Sequence, residues 1–164
     1  MAGFVNAESG EPAATDEEKK AVDQMIFVNL PVADLPASIA FYEAVGAVRD
    51  DNFADASAQM MTFSPTIHVM LLTHERFAAF TPRAIADAHK TAQVLLALSQ
   101  ESPAAVDAIV GKAIAAGTGQ PNPTQDHGFM YGRSFEDPDG HIWEVMWMDV
   151  EAALAARTLE SADS

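Results

Sequence analysis

The chain of 164 residues contains no cysteine, which excludes disulfides, thiolate metal sites and a cysteine nucleophile. Cations are scarce: 9 Lys and Arg stand against 24 Asp and Glu, a formal net charge of −15. A nucleic-acid binder needs a basic footprint to displace counterions from phosphates, and this chain has none to offer. An anionic membrane surface is disfavoured on the same ground. No apolar run approaches the ~18 residues of a spanning helix. With 49% hydrophobic and 20% charged residues, the composition is that of a folded soluble protein for small molecules or protein partners.

Residues 1–24 are polar and small, and read as a flexible or loosely docked N-terminal extension in which Thr15 could start a short helix. They lack the apolar stretch of a secretory signal, so the expected location is the cytoplasm. From Met25 to Val32 the chain reads as a buried strand closed by Pro31. Asp34 is a good N-cap with Pro36 in the first turn, and Gly46 ends that helix. Ile39, Phe41, Tyr42 and Val45 supply its apolar stripe, while Glu43, Asp50, Asp51 and Asp55 read as a solvated acidic face. Ala58–Phe63 and Ile67–Thr73 are two strands joined at Ser64-Pro65.

Residues 74–90 read as a connector with one or two helical turns, in which Phe77, Phe80 and Ile85 could also pack down as a lid. The pattern then repeats. Ala92–Ser99 is a strand, and Ser102 caps a helix carrying Val106, Ile109, Val110, Ala113 and Ile114 before Gly117. Phe129–Phe135 and His141–Met148 flank the turn Glu136-Asp137-Pro138-Asp139-Gly140. A short final helix covers Glu151–Arg157. The expected organisation is module one over 25–73, the connector, module two over 91–148, and a C-terminal helix and tail over 149–164.

Two segments carry a resemblance. Phe27-Val28-Asn29-Leu30-Pro31-Val32-Ala33-Asp34-Leu35-Pro36-Ala37-Ser38-Ile39-Ala40-Phe41-Tyr42 resembles the opening strand and helix of the vicinal oxygen chelate superfamily. Phe135-Glu136-Asp137-Pro138-Asp139-Gly140-His141-Ile142-Trp143-Glu144-Val145 is similar to that family's closing hairpin. The family includes lactoylglutathione lyases (glyoxalases), bleomycin-resistance proteins, extradiol dioxygenases and methylmalonyl-CoA epimerases. The chain looks most like its glyoxalase-like members. The resemblance implies an α+β fold of two βαβββ modules, with curved mixed sheets around a ligand cavity, often in a homodimer.

The resemblance also implies a divalent metal held by four side chains, one from each of four strands. Carried onto this sequence, those positions fall on Phe27, Leu71, Leu95 and Glu144. Only Glu144 keeps a ligand type, since Phe and Leu have no donor atom. No metal or other cofactor is therefore expected, and an extradiol dioxygenase, which needs two His and one carboxylate, is disfavoured. None of the five histidines shows the spacing of a ligand pair.

If Glu144 faces inward, Ile142 and Met146 do too, and Trp143, Val145 and Trp147 pack against helices. With Glu136 opposite His141, Arg133 lies opposite Glu144, Phe135 opposite Ile142, and Tyr131 opposite Met146. The expected pocket is then apolar (Phe27, Leu71, Leu95, Phe135) with polar groups at Asn29, Tyr131, Arg133 and Glu144. Arg133 and Glu144 are open to two readings, a ligand contact or a cross-strand ion pair. Two functions follow: a metal-independent lyase or isomerase with Glu144 as base, or a binding protein of the drug-sequestering type drawing cationic guests by its acidic field. The expected partners are a small molecule and a second copy of the chain.

Overall fold

The computed structural model describes residues 24–162, so the expected extension and the helix at Thr15 lie outside the described residues, Gln24 apart. Strand β1 (Ile26–Val32) leads to helix α1 (Leu35–Ala44), and β2 (Val48–Asp55), β3 (Ala58–Ser64) and β4 (Ile67–Thr73) complete a βαβββ module. After a short helix α2 (His74–Ala78), β5 (Leu96–Ser99), α3 (Pro103–Ala115), β6 (Gln125–Asp126), β7 (Met130–Glu136) and β8 (Ile142–Met148) repeat it. Helix α4 (Val150–Ala162) follows, longer than the expected 151–157. The fold is α+β, with two open four-stranded mixed sheets ordered β1-β4-β3-β2 and β5-β8-β7-β6. In each, the strand before the long helix pairs in parallel with the module's last strand.

The helix signals act as read. The Asp34 carboxylate accepts from Ala37 N at 3.0 Å, and Ser102 Oγ accepts from Ala105 N at 3.1 Å, each satisfying an orphan N–H of the first turn. Gly46 and Gly117 sit at φ +105° and +97° just beyond α1 and α3, the left-handed exit that suits glycine. Ser38 of α1 is buried as well as Leu35, Phe41 and Tyr42, whereas Ile114, expected on the stripe of α3, is exposed.

Four strands differ from expectation, one of them β6, two residues paired with β7 where no strand is expected. β1 is not buried throughout: Ile26 and Phe27 are exposed, while Leu30 and Val32 enter the core. It also runs through Pro31, which an edge strand tolerates because one side needs no donor. β2 occupies what reads as an acidic surface; a charged edge strand resists pairing with other chains. β5 is half the expected length because its pairing starts at Leu96 beside Trp143, leaving Ala92–Leu95 without a strand to join.

One core serves both modules. Leu30, Val32, Phe41, Tyr42, Val69 and Leu71 of the first cluster with Val106, Val110, Phe135, Trp143 and Val145 of the second. Phe135 and Trp143 stack with centroids 6.2 Å apart, and Tyr42 meets Trp143 edge-on at 6.1 Å. The side of each sheet that carries its helix faces this core, and in the first sheet Met60 and Leu72 are buried on the other face as well.

Candidate functional site

Alternation decides what each strand offers to a ligand. Because Leu30 and Val32 look into the core, Asn29 and Pro31 look away from it. Over this end of β1 lies the segment after β4. Thr73 caps α2 by accepting from Arg76 N at 3.3 Å, and the chain then runs irregularly to β5. Asp87 accepts from His89 N at 3.1 Å and pairs with Lys90 at 2.8 Å, tightening the turn there. That turn is pressed against Gly140, where a Cβ would meet His89 N at 2.7 Å. Gly140 also has φ +90°, so two independent demands call for glycine. Gly140→Ala should cost about 1–2 kcal/mol in left-handed strain alone and push residues 87–90 outward. Urea unfolding and faster limited proteolysis within 81–95 would record this; unchanged proteolysis would show that the segment is not seated on the turn.

Beneath the segment is a cavity of about 340 Å³. Phe77, Ile85, Val94, Leu96 and Ile142 give it apolar walls, and Asn29, Thr81, Arg83, Thr91, Gln93 and His141 its polar groups. That volume lies within the ordinary range of small-molecule sites. Phe77 and Ile85 thus line a chamber, whereas Phe80 stays outside, with the Arg76 guanidinium 5.5 Å from its ring centre.

His141 is fixed from behind. Its Nδ1 hydrogen-bonds the Asp137 carboxylate at 2.9 Å, and that carboxylate also accepts from the backbone N–H groups of Asp139 and His141 and from Tyr42 OH at 2.8 Å. Trp143 Nε1 donates to Tyr42 OH at 3.0 Å. Asp139 accepts from Ala33 N at 2.7 Å and from Ser38 Oγ at 3.2 Å. The β7–β8 turn is thus a latch that ties module two to α1, from Ala33 just before it to Tyr42 in its last turn. Burial lowers the pKa of His141, but the Asp137 hydrogen bond and the charges of Asp137 and Asp139 outweigh it, and the net shift is upward.

Burial, then Asp137, push the Tyr42 hydroxyl well above the usual tyrosine value. A raised folded-state pKa means stability that is complete below the unfolded value of about 10 and lost as pH rises through the folded one. Relative to Tyr42→Phe, the parent should therefore lose up to about 1.4 kcal/mol per pH unit above pH 10. Denaturant curves at pH 8 to 11 test this; a constant difference between the two proteins would refute it.

The residues expected to share one pocket are dispersed. The hairpin pairs Glu136 with Ile142, Ser134 with Glu144, and Arg133 with Val145, one residue from the expected register. Arg133, Tyr131 and Phe135 therefore lie on the face opposite Glu144. Arg133 Nη1 instead pairs with Asp107 of α3 at 2.8 Å and its other nitrogens donate to Gln120, so its ion pair is with the helix, not with Glu144. Tyr131 OH donates to the same Asp107 at 2.9 Å. The hydrogen bonds from Arg133 and Tyr131 hold the Asp107 carboxyl below its usual range. Phe135 and Leu71 are core residues, 0% exposed. Phe27 stacks on His68 at 4.9 Å on the non-core face of the first sheet, and His68 hydrogen-bonds Thr62 at 3.0 Å. Leu95 is 50% exposed and precedes β5. Of the eight, Asn29 alone lines the larger chamber; Glu144 and Arg133 both border a separate recess of about 140 Å³ with Asn122, Gln125 and Ser134, although their side chains stand on opposite faces of the hairpin.

These positions do not fit the metal that the resemblance implies. Phe27 and Leu95 have no donor atom, and Leu71 is sealed in the core. Among the described residues, no three His, Asp or Glu side chains stand close enough to share an ion.

The family model of the glyoxalase/bleomycin resistance protein/dioxygenase superfamily matches residues 24–145. The chain belongs to this superfamily. Among solved structures, the hypothetical protein SA1046 from S. aureus is 23% identical with a TM-score of 0.65, over 76% of this chain and 93% of that one. A glyoxalase/bleomycin resistance protein/dioxygenase family enzyme from Burkholderia phytofirmans PsJN gives 20% and 0.64, over 77% and 99%. A glyoxalase-related enzyme from Fulvimarina pelagi gives 21% and 0.64, over 76% and 87%. At these identities the superfamily members share the fold with this chain. No curated protein matches. Among the described residues, no helix is long and apolar enough to cross a membrane.

The chamber residues Arg83, Thr81 and Gln93 are not legible as site residues, because an irregular segment carries no periodicity to orient them, and His141 sits in the turn before β8, where strand alternation does not orient it either. One signal did exist: Gly140, in a turn followed by a histidine, marks a close approach of another part of the chain.

Proposed function

We propose that this superfamily member binds a small organic molecule in the chamber beneath residues 79–95, and not at the sheet face around Glu144. The observation that carries the reading is the chamber itself, about 340 Å³ of mostly apolar wall with a few directional polar groups. The recess beside Glu144, about 140 Å³, falls short of a substrate-sized site, which weighs against a lyase or isomerase with Glu144 as base. A drug-sequestering role toward cationic guests would find carboxylates only in the adjoining recess of about 310 Å³, where Asp87 is paired with Lys90 and Asp139 accepts from Ala33 N and Ser38. A homodimer fits the exposed Ile26, Phe27 and Val48, apolar side chains that a second copy could cover.

The test is a fluorescence titration with the neutral apolar dye N-phenyl-1-naphthylamine. Saturable binding should survive Glu144→Gln and be lost in Ala84→Trp, which fills the chamber from an exposed wall position. Loss in the first variant and survival in the second would place the site at Glu144 instead.

A further inference from the structure

We propose that the chamber selects an organic anion, its apolar body against Phe77, Ile85, Val94 and Ile142 and its carboxylate-like or sulfonate-like group answered by Arg83 and His141. This inference rests on the chamber being the binding site. Its starting point is charge distribution. The chain carries 24 acidic residues among 164, yet none of them lines the chamber. One of only 9 Lys and Arg does.

Arg83 is also free to act. Arg49, Lys90 and Arg133 each have a carboxylate partner, and Arg76 lies over the ring of Phe80. Among the described residues no acidic side chain pairs with Arg83. In His141, Nδ1 is committed to Asp137, which leaves Nε2 as the nitrogen available to a ligand. The proton that Asp137 and Asp139 favour on the ring would make that nitrogen a donor. Around the ring stand Asp137 and Asp139 on its own turn, and His74, Asp87 and His89 on the segment that shares an adjoining wall. All three of those carboxylates are engaged: Asp137 with Tyr42 OH and the ring itself, Asp87 with Lys90, and Asp139 with Ala33 N and Ser38.

The net charge of −15 opposes any anion at long range. That opposition is screened over about 8–10 Å at ordinary ionic strength, whereas a cation in the chamber wall acts at contact. The local charge therefore decides the selection, and added salt should not abolish it.

The experiment compares two dyes that differ by one charged group: 8-anilinonaphthalene-1-sulfonate, and N-phenyl-1-naphthylamine, which lacks the sulfonate. Both are titrated into the full chain at 0.15 M salt. The sulfonate dye should bind at least tenfold more tightly. Arg83→Gln, an exposed and unpaired position, should weaken the sulfonate dye at least fivefold more than it weakens the neutral dye. His141→Gln should act in the same direction, and Ala84→Trp should remove both dyes. Equal or tighter binding of the neutral dye, or an equal loss of both in Arg83→Gln, would overturn anion selection while leaving the chamber as the site. Binding of neither dye, or binding that survives Ala84→Trp, would overturn the chamber and the inference together.

Discussion

Asp137→Ala should lower the unfolding free energy by about 3–5 kcal/mol, read as a drop in the urea midpoint with an unchanged slope. The carboxylate is 1% exposed and accepts from Tyr42 OH, from His141 Nδ1, and from two backbone N–H groups. Removing the acceptor leaves these donors facing each other in a place water reaches poorly, and each buried unsatisfied donor costs about 1–3 kcal/mol. Asp137→Asn keeps one acceptor oxygen but turns an amide toward the others, so it should recover only part of the loss. A drop below about 1 kcal/mol in the alanine variant would mean that the latch contributes little, whatever its geometry.

Trp143→Ala should cost a similar 3–5 kcal/mol, for a different reason. The indole is 2% exposed and fills the junction where Phe135, Tyr42 and Phe63 converge. Its loss opens a cavity that residues from both modules line, so neither can collapse into it alone. Trp143→Phe should cost much less, since most of the apolar volume stays. Because Trp143 Nε1 and Asp137 both bond Tyr42 OH, the double variant should fall short of the sum of the two losses. Full additivity would indicate that the two side chains act separately.

Where local chemistry determines structure, the sequence was legible. Asp34, Ser102, Gly46 and Gly117 bound α1 and α3, and the alternation Trp143-Glu144-Val145 correctly sends Trp143 and Val145 against the helices. The hairpin register was not. Its loop spans five residues, closed by Asp137 N donating to His141 O, so the first strand pair is Glu136 with Ile142. A four-residue loop is equally compatible with the composition of that turn. The side-chain period in a strand is two, so this one residue moves Tyr131, Arg133 and Phe135 to the other face. Arg133 consequently finds Asp107, a partner 26 positions earlier on a helix, which strand alternation cannot reveal. β2 escaped notice because Arg49, Asp50 and Asp51 suit an exposed edge as well as a loop.

The latch also has a consequence for the order of assembly. Its hydrogen bonds join residues 95 to 106 positions apart, from Ala33 and Tyr42 to Asp137 and Asp139. Such a contact repays the entropy of closing its loop only after nearly the whole chain is available. During synthesis, β1 to β4 emerge long before the turn that seals Tyr42. The hydroxyl of that tyrosine and the surface destined for Trp143 must therefore wait in water until the closing hairpin arrives. The first module is in this sense a template that stays unfinished until the last strand of the second completes it.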